Sequence, residues 1–151
     1  MRICIAGKYS RRVELLAYAA RLEALGHTVT SRWLRFAGEN IDGALTQPEN
    51  RDAAQQFALQ DEADVLEADL FLAFTEEPYI SASRGTRHWE AGIARHSGKA
   101  IWVVGPVENI AYTLPGIKHF TDFNAAFQAL LPQYSAVGSA LGTIYIQEVH
   151  I

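Results

Sequence analysis

At 151 residues, with 49% hydrophobic and 20% charged side chains, the chain carries enough apolar material for one globular core and too much for a disordered segment. A formal net charge of −4 excludes a general binder of polymeric nucleic acid, whose affinity comes from clustered Lys and Arg. One cysteine excludes an internal disulfide framework, no apolar stretch approaches the about 18 residues of a membrane span, and the start MRICIAG lacks signal-peptide architecture, so a cytoplasmic protein with no membrane partner is expected.

Residues 2–6 (RICIA) read as a short buried strand in which Cys4 acts as a small hydrophobe, and residues 10–25 place Leu15, Ala19, Leu22 and Leu25 at helical spacing before the helix stop Gly26. Residues 27–33 (HTVTSRW) are β-rich, while 34–50 contain Gly, Asn, Asp and Pro and read as a long connection, of the kind that is often functional. A second helix over 48–68 carries Ala54, Phe57, Ala58, Val65 and Leu66, and the apolar strand DLFLAFT (69–75) follows. A loop over 76–86 with Pro78 and Gly85 leads into a third helix to about residue 97, Gly98 precedes the strand AIWVVG, and 121–131 form a last helix after a loop bearing Pro106, Asn109 and Pro115.

Strands alternating with helices imply a parallel sheet covered on both faces by right-handed crossovers. The expected fold is a flavodoxin-like or Rossmann-like three-layer α/β sandwich with about five strands. Residues 1–131 make up the domain, and 132–151, with TIYIQEVHI, are read as its extension, an edge strand or a subunit contact.

In such sheets ligands bind at the carboxyl ends of the strands, where GKYSRR, TEEPYISASRGTRHWE and GPVEN should converge. Asp61 interrupts an apolar stripe formed by Ala54, Phe57, Val65 and Ala68, and lies about 12 Å back along its helix from the strand that opens at Asp69, which carries it towards that edge. A carboxylate buried there shifts its pKa, as a proton donor requires, or else is a helix-edge Asp paired with an Arg. Glu90, in the first turns of the third helix, reaches the same edge; alone it could merely compensate the helix dipole, but two converging carboxylates are what glycoside chemistry uses.

Tyr9-Ser10-Arg11-Arg12 puts two cations at a helix start against the macrodipole, which an anion would reverse: Ser10 can cap the helix while Arg11 and Arg12 hold a phosphate or carboxylate, or the turn is a solvated basic surface. Arg84-Gly85-Thr86-Arg87 is a second basic, flexible stretch that could touch an anion or a sugar. The five histidines show no metal-ligand spacing, and no dinucleotide fingerprint, P-loop or nucleophile elbow is present, so neither metal nor cofactor is expected. Trp102 is assigned to the core, whereas Trp33 remains a candidate for stacking on a base.

AGKYSRR, LQDEADVLEADLFLAFTEE, RHWEAGIARHSGKAIWVVG and GPVENIAYTLP resemble the nucleoside 2-deoxyribosyltransferase family over residues 1–131. The family pairs an Asp eight residues before the Asp that opens the third strand with a Glu followed by a small residue and Gly; Asp61, Asp69 and Glu90-Ala91-Gly92 fit. The resemblance implies that Glu90 attacks C1′ of a nucleoside or nucleotide, that Asp61 handles the proton on the leaving base, and that Tyr9 orients Glu90. Substrate contacts are expected from Gly7, Ser10, Arg11, Arg12, Trp33, Arg84, Gly85 and Asn109, and the resemblance further implies a homo-oligomer in which Asn109 or the C-terminal segment serves a neighbouring site. The small-molecule partners would be the nucleoside or nucleotide and a free base.

The family contains transferases acting on deoxynucleosides and hydrolases acting on nucleoside 5′-monophosphates. SRGTRHWE lacks the Gly-rich spacing of the hydrolases before Glu90, whereas Ser10-Arg11-Arg12 is similar to their phosphate contacts, so both branches stay open. Arg84 to Glu90 also echoes, with a missing Pro-Gly-Gly and one residue too many, the loop of lysine-decarboxylase-like phosphoribohydrolases. A non-catalytic nucleotide-binding domain is the remaining alternative.

Overall fold

A computed structural model of the chain describes residues 1–36, 48–77 and 85–131. The segment 132–151 and Arg84 lie outside the described residues. Strands β1 (Arg2–Ala6), β2 (Thr28–Val29), β3 (Leu70–Phe74), β4 (Ala100–Val104) and β5 (Lys118–Phe120) form one sheet in the order β2-β1-β3-β4-β5. Every pairing is parallel, with Ile3 opposite Leu70 and Leu72 opposite Trp102.

Helices α1 (Arg12–Ala24), α2 (Arg51–Glu67), α3 (Thr86–His96) and α4 (Phe123–Leu130) cover the sheet. Because successive strand residues point to opposite faces, each strand fills two cores. Ile3, Ile5, Leu70, Leu72, Phe74 and Trp102 meet Leu15, Ala19 and Leu22 of α1 and Phe123, Ala126 and Leu130 of α4. Cys4, Ala6, Phe71, Ala73, Ile101 and Val103 meet Val65 of α2 and Ala91 and Ala94 of α3. Fully burying each Leu or Ile contributes roughly 1.5–3 kcal/mol, so both faces of the sheet hold their helices firmly. This is the flavodoxin-like α/β sandwich that the strand and helix alternation implies. No helix among the described residues is long and apolar enough to cross a membrane.

Three local readings change. The β-rich stretch 27–33 contributes only Thr28–Val29 to the sheet, and the chain then turns through a 3-10 segment at Arg32–Arg35 that holds Trp33. The turn forms because Ser31 is buried and uses its hydroxyl on β1, accepting from Ile5 N at 2.6 Å and donating to Ile5 O at 2.9 Å. Lys118–Phe120 forms the fifth strand in a stretch whose alternation is too short to stand out. Ser10 does not cap α1: a 3-10 turn at Tyr9–Arg11 precedes it, and its N-cap is Arg11, with no side-chain cap bond.

Candidate active site

The sheet order reverses between β1 and β3, so the segments leaving their carboxyl ends diverge and open a crevice. Gly7 follows β1, and a Cβ there would lie 2.5 Å from Leu15 Cδ1, so glycine lets the chain leave β1 pressed against α1. Gly105 follows β4 at φ +115°, where a Cβ would meet the carbonyl oxygen of Thr75 at 2.8 Å. Thr75 in turn donates its hydroxyl to Pro106 O at 2.6 Å, so the ends of β3 and β4 are stitched together.

Glu90 lies on the inner face of α3 with only 6% of its surface exposed. Burial, and then the charge of Asp61, push its carboxyl well above the ordinary glutamate value, while Arg87 opposes them. The structure therefore brings the two sequence-read carboxylates, on adjacent helices α2 and α3, into electrostatic contact. Asp61 is half-buried, between partly buried Phe57 and buried Val65. Tyr9, half-buried in the 3-10 turn after β1, has its ring 6.3 Å from that of Trp33. The Trp33 indole donates to Ile5 O at 3.0 Å and packs against the core, so the ring is anchored at the β1 side of the crevice.

The basic turn is tied internally. Arg11 grips both oxygens of Glu14, at 2.9 and 2.8 Å, and Arg12 donates to Leu34 O at 2.8 Å. An incoming anion there would compete with Glu14. Ser10 is exposed beside them. Gly85 is the N-cap of α3 at φ +91°, a conformation glycine adopts freely, and its carbonyl accepts from His88 N and Trp89 N. Asn109 caps the 3-10 turn Ile110–Thr113, its side-chain oxygen accepting from Ala111 N at 2.8 Å.

Two ion pairs with buried members escaped the reading of the sequence. Asp64, 2% exposed, accepts from Arg32 N at 2.8 Å and Arg32 Nε at 2.6 Å. Burial pushes its carboxyl up against the pull of Arg32. An acid of α2 held by an arginine is thus Asp64, three positions beyond Asp61. Arg87, grouped from sequence with a flexible basic stretch, is 3% exposed; it donates to Phe74 O at 2.9 Å and forms an ion pair with Glu108. The signal was available: Arg87, Ala91 and Ala94 recur at helical spacing on the face that is buried.

No family model matches the chain, and no curated protein does. Among solved structures, the CMP N-glycosidase BcmB of Clostridium botulinum is similar at 26% identity, with a TM-score of 0.51, over 86% of this chain and 98% of that one. A 2-deoxyribosyltransferase from Bacillus psychrosaccharolyticus shares the fold at 23% identity and a TM-score of 0.58, over 83% of this chain and 90% of that one. The chain is thus an α/β sandwich that couples two carboxylates, on α2 and α3, electrostatically. Its motif resemblance to the nucleoside 2-deoxyribosyltransferase family is matched by these likenesses.

Proposed function

We propose that the chain is an enzyme that cleaves or transfers the N-glycosidic bond of a nucleoside or nucleotide, with Glu90 as nucleophile. The observation that carries this reading is Glu90 itself, 6% exposed yet under the charge of Asp61 at the crevice. A buried carboxylate beside a second one has no structural use that an amide would not serve better; it suits a centre that develops positive charge at C1′. The two carboxyls share a proton: with it on Asp61, ionised Glu90 bonds to C1′ as the C1′–N bond breaks, and the bonding pair goes to the base, which takes that proton. The glycosyl ester is then resolved by water, which gives hydrolysis, or by a second base, which gives transfer. Tyr9, across the crevice on the β1 side, is proposed to orient Glu90, and Trp33 to flank the base.

The likeness to a CMP N-glycosidase favours a second reading, hydrolysis of a nucleoside 5′-monophosphate, in which Ser10, Arg11, Arg12, Arg84 and Gly85 would contact phosphate or sugar. Like the members of the family it resembles, the protein is proposed to work as a homo-oligomer.

Incubating the protein with deoxynucleosides and their monophosphates, with and without a second free base, separates these outcomes. Base release from either alone means hydrolysis, and exchange only with added base means transfer. Binding without release would leave a nucleotide-binding domain. Intact-mass measurement should find a glycosyl adduct on wild type and none on Glu90→Ala; activity of Glu90→Ala within about tenfold of wild type removes Glu90 as nucleophile.

A further inference from the structure

We propose that the buried Arg87–Glu108 ion pair is a positioning device for Glu90, fixing its helix at the crevice and setting the electrostatic field at its carboxylate. This rests on the proposed role of Glu90. Arg87 and Glu90 are three residues apart on α3 and belong to the same buried face, together with Ala91 and Ala94.

The guanidinium of Arg87 donates to Phe74 O, the last carbonyl of β3, and to Glu108 Oε1. The other oxygen of Glu108 accepts from Glu76 N at 2.9 Å. One pair therefore ties together α3, the end of β3, the segment after β3 and the segment after β4.

Stability alone does not account for it. Desolvating two charges commonly outweighs their attraction, and apolar residues of similar volume usually serve a core at least as well. The groups around Glu90 point to another use. Asp61 and Asp64 face it from α2, the Cys4 thiol from β1, and the Tyr112 hydroxyl from the turn after β4. Arg87 is the cation that favours its ionised form. Glu108 holds that cation in place and partly offsets it. His88 lies 3.8 Å from Glu108, and burial lowers its pKa, so near neutral pH it adds no charge.

On this proposal Glu108, of opposite charge, acts on Glu90 against Arg87, which a purely structural brace would not. The measurement is a carbon-13 NMR titration of glutamate carboxyls in the full chain, with Glu90→Gln identifying the resonance. Arg87→Gln should raise the Glu90 pKa by about one unit or more, Glu108→Gln should lower it, and Arg87→Lys should stay near wild type. Should either single variant fail to fold, Arg87→Gln/Glu108→Gln leaves neither member of the pair as an uncompensated charge; with the cation three residues from Glu90 gone, its Glu90 value should lie above wild type. Unchanged values, or shifts of the same sign in both single variants, would overturn the proposal. Opposed shifts in a protein that releases no base from any nucleoside or nucleotide would sink the proposed function while still supporting the action of the pair on Glu90.

Discussion

Holding an acid at 6% exposure beside a second acid has a thermodynamic signature. The folded-state pKa of Glu90 lies above its unfolded value, so its contribution to stability is fully present below about pH 4.5 and is lost as pH rises through the folded value. Glu90→Gln, which cannot ionise, should therefore abolish turnover and yet melt higher than wild type at neutral pH, by roughly 2–4 °C for each kcal/mol recovered. The gap should close in acid, and equal melting at pH 7 would mean that burial does not strain Glu90. Asp61 is the second cause of that shift, so Asp61→Asn should move the acid limb of the activity profile down in pH. It should also slow poor leaving bases far more than an activated one, since only the former need a proton; equal slowing would make Asp61 a positioning group. Asp61 was legible in the sequence because a charge interrupting an apolar stripe is anomalous, and Glu90 because its place at the start of the third helix carries it to the same sheet edge. Asp64 was not, because its partner Arg32 is 32 residues away and no local pattern joins them.

Among the secondary-structure elements, those with long apolar periodicity were read to within a few residues, as α1, α2, β1, β3 and β4 show. Those set by tertiary contacts were not: the Ser31 hydroxyl bends the chain after two residues of β2, and β5 is three residues long. The basic turn is such a case. Two cations at a helix start looked like an anion site, yet Arg11 is held by Glu14 in an i,i+3 pair, partly exposed, and Arg12 by Leu34 O. Charge-assisted contacts to a 5′-phosphate would contribute about 1.5–3 kcal/mol. Arg11→Ala or Arg12→Ala should then weaken monophosphates by roughly tenfold to a hundredfold, with unphosphorylated nucleosides nearly indifferent and the difference eroded by salt. Glu14→Ala, by releasing Arg11, should strengthen the monophosphate. A monophosphate-to-nucleoside ratio unchanged in all three variants makes the turn a solvated surface feature and favours the transferase branch.

At the scale of the whole molecule, exposed apolar side chains recur on the elements that carry the candidate site residues. Leu59 and Leu66 on α2, Trp89 on α3 and Ile110 and Leu114 beside Asn109 are exposed, Ile110 at 86%. Single exposed apolar side chains are ordinary, but these border elements that carry Asp61, Glu90 and Asn109. Asn109 accepts from Ala111 N with one lone pair of its side-chain oxygen, which leaves the second lone pair and the amide nitrogen to contact substrate. If that contact is made to the site of a neighbouring copy, Glu90→Gln and Asn109→Ala are each deficient, but for different halves of one composite site. A mixed dimer then holds one site with both residues intact. Random exchange makes half of the dimers mixed, and each has one good site of two, so an equal mixture should recover about a quarter of wild-type activity in a closed two-fold assembly. Mixing must follow conditions that let subunits exchange, checked by mass difference between a tagged and an untagged copy. Exchange without recovered activity would place Asn109 in the site of its own chain, or outside any site, and remove the need for a partner in catalysis.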